Sequence, residues 1–208
     1  MTHSTEGPQS EHGEVQESRA GRPREPETDR RILDAALRLL ARDGFARMSV
    51  DAVAAAAGVT KPTIYRRYQS KAALAEAALA ALAAERDASA PEHTGHLKAD
   101  LVAQLRHFRA GVSRPYGVAL VGTVLAEEHE TPELLARYRN QIVAPRRRMI
   151  RSVLDAAAQR GELRPEADLD LAVNALVGAF YAQALAGDPF QDNWEERAVT
   201  TILAGITA

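Results

Sequence analysis

Between Arg47 and Lys71 the chain reads RMSVDAVAAAAGVTKPTIYRRYQSK, and its chemistry is concentrated in the second half. Lys61, Thr63, Tyr65, Arg66, Arg67 and Tyr68 put three cations, a hydroxyl and two phenols within two helical turns, around one apolar anchor, Ile64. Cations and hydroxyls meet phosphate oxygens, and hydrogen-bonding side chains near a helix N-terminus can reach base edges in the DNA major groove. A short basic helix can also be no more than a solvated face. What accompanies it narrows the choice: there is no nucleophile beside a base, no Gly-rich phosphate loop and no HExxH pair.

Two helices and a tight turn must position these groups. Ser49 is an N-cap, and Asp51 adds negative charge to the first turn. Val50, Val53, Ala54 and Ala57 follow at helical spacing, and Gly58 supplies a left-handed C-cap. Thr60 can cap the next helix, where Pro62 lacks only an N–H that the first turn leaves unpaired. Ser70 and Lys71 open a further apolar helix, whose N-terminal amides can hold a phosphate. Upstream, Thr28 and Asp29 can cap a helix striped by Ile32, Leu33, Ala36, Leu37, Leu39 and Leu40, ended by Asp43-Gly44, with Phe45 closing a small three-helix core.

The order Ser49, Gly58-Val59-Thr60, Ile64-Tyr65, a basic pair with Tyr68, then Ser70-Lys71 before an apolar helix resembles the DNA-binding domain of TetR-family transcriptional regulators; the match runs from Thr28 to Leu82. The resemblance implies an all-α fold, with an N-terminal three-helix helix-turn-helix DNA-binding domain and a C-terminal helical ligand-binding and dimerisation domain. Its divisions would be a tail and arm over 1–27, the helix-turn-helix over 28–71, a connecting helix over 72–88 and the C-terminal domain over 89–208. Thr60, Lys61 and Thr63 would reach base edges, while Ser49, Tyr65, Arg66, Arg67, Tyr68 and Lys71 would hold phosphates. Pro62, on the same surface, stands where the family commonly has a small residue. A homodimer would set two recognition helices about 34–36 Å apart, or somewhat wider, on a palindromic double-stranded DNA operator. The expected activity is repression relieved by a small-molecule effector, with the helix over 72–86 as the lever.

Charge is distributed accordingly. The net charge is −2, but residues 1–18 carry four Glu and no Lys or Arg, residues 19–88 carry 13 basic against 9 acidic side chains, and residues 89–208 carry 13 against 15. The positive excess therefore accompanies the motif. Residues 1–18 hold almost nothing apolar and read as a disordered acidic tail. The segment Arg19-Ala20-Gly21-Arg22-Pro23-Arg24 is a slim basic arm, in which Arg22 and Arg24 suit a narrow minor groove or are merely a charged linker. The chain has no cysteine, which removes disulfides and thiolate metal sites. No uninterrupted apolar run reaches the ~18 residues of a membrane helix, and the N-terminus lacks a signal-peptide pattern, so a cytoplasmic, membrane-free location is expected.

Beyond the break SAPEHTG at 89–95, periodicity predicts helices at about 96–112, 116–129, 132–160, 168–186 and 192–206, the third interrupted at Pro145. The helix over 168–186 is apolar all round, so it must be covered on more than one side. Together with 192–206 it would form the homodimer interface that the resemblance implies, unless it is simply the central helix of a monomer. The effector pocket implied by the resemblance would be lined by Phe108, Val121, Leu125, Tyr138, Ile142 and Leu176, with Gln104 and His107 among its polar groups. Each of these could equally be ordinary core. Glu127, Glu128, His129 and Glu130 form the one cluster reminiscent of metal or acid–base work, but the Glu-x-x-His spacing of a di-iron helix is absent. No catalytic residue, metal site or cofactor is assigned. The alternative to a regulator is a helical ligand-binding or scaffolding protein that no longer reads DNA.

Overall fold

The computed structural model describes Met1, residues 26–114 and residues 117–208. Arg22 and Arg24 lie outside the described residues. Ten α-helices follow one another: α1 (Pro26–Arg47), α2 (Val50–Ala57), α3 (Lys61–Tyr65), α4 (Lys71–Asp87), α5 (Leu97–Val112), α6 (Gly117–Ala126), α7 (Pro132–Tyr138), α8 (Ala144–Gln159), α9 (Leu169–Ala186) and α10 (Trp194–Ile206). The all-α architecture follows from this order.

Local chemistry accounts for most boundaries. The Ser49 hydroxyl accepts from the Ala52 amide at 3.1 Å, and Gly58 takes φ 65° at the end of α2. Ser70 caps α4 in the same manner through the Ala73 amide, and Asp168 caps α9 through that of Leu171. Thr60 departs from expectation: its hydroxyl makes no capping bond and lies 3.0 Å from that of Thr63. Gly44 breaks α1 with φ 82° and ψ 163°, a conformation strained for any residue with a Cβ. The interruption expected at Pro145 is a π-helical turn over Arg139–Val143 just ahead of it, where the missing proline N–H loosens the ladder.

Two hydrophobic cores result among the described residues. The first joins α1 to α4 with Leu120 and Val124 of α6, Leu134, Leu135 and Tyr138 of α7, and Ile142. The second joins α5, α8, α9 and α10 around Leu105, Phe108, Leu154, Leu176 and Phe180. Met48, 2% exposed, is more deeply buried beneath the turn after α1 than Phe45. Among the described residues α9 alone is long and apolar enough, at mean hydropathy 1.4, to cross a membrane by length and composition. Its apolarity is shared between this core, through Ala172, Val173, Leu176 and Phe180, and an exposed stripe bounded by Leu171 and Leu185, 62% and 81% exposed.

Candidate nucleic-acid interface and the cavity behind it

The short helix α3 is held by one buried side chain, Ile64, at 1% exposure. Around that anchor Lys61, Pro62, Tyr65 and Arg66 face solvent, and Thr63 is partly covered. The Arg66 side chain makes no hydrogen bond or ion pair among the described residues, so its guanidinium is available to a phosphate. Lys61 extends to Asp51 at 2.8 Å, a contact between exposed groups that DNA can replace at little cost. This pairing holds the Lys61 ammonium further into its charged form.

Two expected phosphate ligands are engaged elsewhere. Arg67 donates from Nε to Asp29 at 2.6 Å and from Nη1 to the Thr63 carbonyl at 3.2 Å, with its side chain only 13% exposed. It ties α3 to the start of α1. Lys71 donates from Nζ to the Phe45 and Ala46 carbonyls, at 2.8 and 3.2 Å, and lies 4.5 Å from the centre of the Phe45 ring. Its ammonium satisfies carbonyls in the turn after Gly44, so in this conformation it is a structural clamp. Tyr68 is partly buried against the first core, and Ser49 spends a lone pair on its cap while remaining exposed.

That turn is also held from α6. The Glu127 carboxylate, 8% exposed, accepts from the Phe45 amide at 2.9 Å, the Ala46 amide at 3.4 Å and the Thr131 hydroxyl at 3.0 Å. The Thr123 hydroxyl donates to the Ala41 carbonyl at 3.0 Å. One carboxylate of the acidic cluster is thus a bracket between α6 and the helix-turn-helix, and a Cβ at residue 44 would stand 3.3 Å from its Oε1.

The opposite side of α6 borders a cavity of about 490 Å³, lying where the two cores meet. Val118, Val121, Gly122 and Leu125 of α6 line it with Phe108 of α5, Leu135 and Tyr138 of α7, and Val177, Tyr181 and Leu185 of α9. Of the expected pocket residues, Phe108, Val121, Leu125 and Tyr138 line this cavity. Four others do not. Ile142 and Leu176, 2% and 1% exposed, are core residues. Gln104 turns toward the 88–96 segment, donating to the Pro91 carbonyl at 3.4 Å. His107 borders a separate recess of about 20 Å³, where burial, and then the charge of Arg86, lowers its pKa.

Sequence reasoning missed the cavity's basic groups. Arg139, Arg146 and Arg147 line it, and Arg86 borders the recess beside it. Arg86 gave no signal because an arginine in the last turn of a helix ordinarily serves the helix dipole in solvent; here it is 8% exposed.

The comparisons agree with this geometry. Residues 32–78 match the family described as bacterial regulatory proteins, tetR family, and residues 91–202 match the tetracyclin repressor-like C-terminal domain. An uncharacterized HTH-type transcriptional regulator of Bacillus subtilis, YdeS, is 30% identical over 92% of this chain and 96% of its own. The DNA-binding transcriptional repressor TetR of Mycobacteroides abscessus is 32% identical over 83% of this chain and 90% of its own. The solved TetR-family transcription regulator SCO0332 superposes with a TM-score of 0.60 at 33% identity, covering 86% of this chain and 98% of that one. With a helix-turn-helix that exposes its cations, and relatives that match it nearly end to end, the chain belongs to the TetR family of DNA-binding transcriptional regulators.

Proposed function

We propose that this chain is a homodimeric repressor, acting in the cytoplasm, that holds a palindromic operator and releases it when a small molecule fills the cavity behind α6. The observation that carries the reading is α3 itself: a single buried anchor leaves Lys61, Pro62, Tyr65 and Arg66 outward, an arrangement with nothing to offer a protein core. Thr60, Lys61 and Thr63, near the helix N-terminus, are the base-edge candidates, and Tyr65 and Arg66 take phosphates. Arg67, Lys71 and Ser49 hold this surface in place. The relative from Mycobacteroides abscessus is itself described as a repressor.

Dimerisation is supported by α9 and α10. Leu171, Gly178, Ala182 and Leu185 form an exposed stripe on α9, and beside it Ala179, Gln183, Trp194, Arg197, Ala198 and Ile202 border a groove of about 590 Å³ between the two helices. A second copy about a twofold axis would cover both. Release follows from α6. A ligand that shifts Val121 or Leu125 moves the helix whose Thr123 and Glu127 hold the turn between α1 and α2. To move such an equilibrium from 1:99 to 99:1, the ligand must prefer the released conformation by about 10⁴-fold.

The test is selection from a pool of random duplexes, with the wild-type chain and Arg66→Ala. Enrichment of a near-palindrome that Arg66→Ala binds less tightly supports the reading. Salt-sensitive binding without sequence preference would overturn it and favour a helical ligand-binding or scaffolding protein.

A further inference from the structure

We propose that the cavity behind α6 takes an organic acid, a carboxylate carried on an apolar body, with the carboxylate held at the inner end by Arg86, Tyr138 and Tyr181 and the approach lined by Arg146. This rests on the reading of the cavity as the effector site and names its ligand class.

The first observation is an unfinished arginine. Arg86 is more than nine-tenths buried, and Nη2 donates to the Gly111 carbonyl, yet Nε and Nη1 are buried without a hydrogen-bond partner. Glu85, next in sequence, is taken at 2.9 Å by both terminal nitrogens of Arg114, and Asp87, which borders the recess, makes no ion pair with Arg86. Burial pushes the Arg86 pKa down, but a guanidinium keeps its proton in proteins, so a charge and two donors stand uncompensated. The chain makes room for this group. A Cβ at residue 111 would lie 3.1 Å from Arg86 Cζ, so the glycine is what lets the guanidinium lie flat against α5.

The second observation is what surrounds it. The recess beside Arg86 shares Phe108 and Arg146 with the cavity, whose lining also includes Tyr138 and Tyr181. Burial raises the pKa of both phenols, which keeps them as hydroxyl donors, and neither makes a hydrogen bond among the described residues. Two guanidinium nitrogens and two phenols are thus donors that meet no hydrogen-bond acceptor among the described residues. The described lining of the cavity contains three arginines and no Asp or Glu. Arg139 reaches Glu128 at 3.6 Å and Arg147 meets Asn174, but Arg146 lies over the Phe108 ring at 5.6 Å with no carboxylate partner. A buried guanidinium charge with unmet donors suits an anionic acceptor such as a carboxylate, and the remaining wall, Val118, Val121, Leu125, Val177 and Leu185, suits a hydrocarbon or aromatic body. A volume of about 490 Å³ is in the range of small-molecule sites.

The experiment is isothermal titration of the full chain with two matched sets: decanoate, decanol and decylamine, then naphthoate and naphthalenemethanol. At least one acid should bind about tenfold tighter than its alcohol, and decylamine weakest. Arg86→Met, which keeps the volume and removes the orphaned donors, should bring acid and alcohol to within about threefold. Its ligand-free Tm should hold or rise, whereas a merely structural arginine would lower it when removed. Should Arg86→Met fail to fold, Tyr138→Phe should narrow the same preference. Equal binding of acid and alcohol, a preference for the amine, no binding by either acid, or an acid preference that survives Arg86→Met would each overturn the proposal. Operator selection on the same preparations separates the two readings. Acid binding without any change in DNA affinity leaves the acid site standing and removes its role in release. DNA selection without acid binding does the reverse.

Discussion

Two arginines show how differently the two working regions are built. Arg66 is exposed at the end of a five-residue helix with one buried anchor, and its charge rests in water. Arg86 is buried at the junction of two cores, and part of its hydrogen-bonding capacity is unmet. The surface proposed to face DNA therefore costs the fold little and is specified by what it leaves exposed. The recess beside the cavity holds an unsatisfied charge within the fold, a cost that the proposed ligand would offset. Between them, Glu127 and Thr123 join α6 to the turn after α1.

The comparison is broken most severely at the anchor. Ile64→Ala should cost about 2–5 kcal/mol, because α3 has no other buried side chain to hold it. Amide exchange should become fast across 61–68 and operator binding should vanish, while affinity for cavity ligands is unchanged. If ligand affinity falls as well, the two regions are not separable.

The bracket comes next. Glu127→Ala strips the partner from the partly buried Phe45 amide and should cost about 1–3 kcal/mol, read as a lowered midpoint in urea unfolding. DNA and ligand should each still bind, but saturating ligand should no longer change operator affinity. Retained coupling would mean that the signal travels through α4 instead.

Lys71→Ala removes two charge-assisted contacts to carbonyls and should lower stability by about 1–3 kcal/mol, with the slope of log affinity against log salt unchanged. A reduced slope would restore Lys71 to the phosphate contacts. Arg66→Ala is the smallest perturbation of the fold and the cleanest of the interface. Its Tm should stay within about 0.5 kcal/mol equivalent of wild type, while the salt slope should flatten by about one unit. Thermal scans and salt titrations on the pair Lys71→Ala and Arg66→Ala thus separate structural cations from DNA-binding ones.

Local features of the fold were legible because their causes are local. Ser49 and Gly58 close α2 through bonds three or four residues away, and the proline at 145 perturbs the turn directly before it. Side-chain roles were legible only where no distant partner intervened. Arg66 was placed correctly on the surface. Arg67 and Lys71 differ because Asp29 and Phe45 lie 38 and 26 residues away, and periodicity carries no record of such meetings. Gln104 has the polarity expected of a pocket residue, yet its helix face turns it to the 88–96 segment.

What the chain's order of residues determined by itself was the all-helical class, the family and the exposed cations of α3. Those depend on composition, capping and 3.6-residue periodicity, which act over a few residues. The tertiary structure alone decided that the two cores meet behind α6, that Gly111 gives Arg86 room to be buried, and that the recess beside Arg86 adjoins the cavity lined by Tyr138 and Tyr181. The burial of a charged group is settled by helices brought together from far apart in the chain, and no local pattern can encode it.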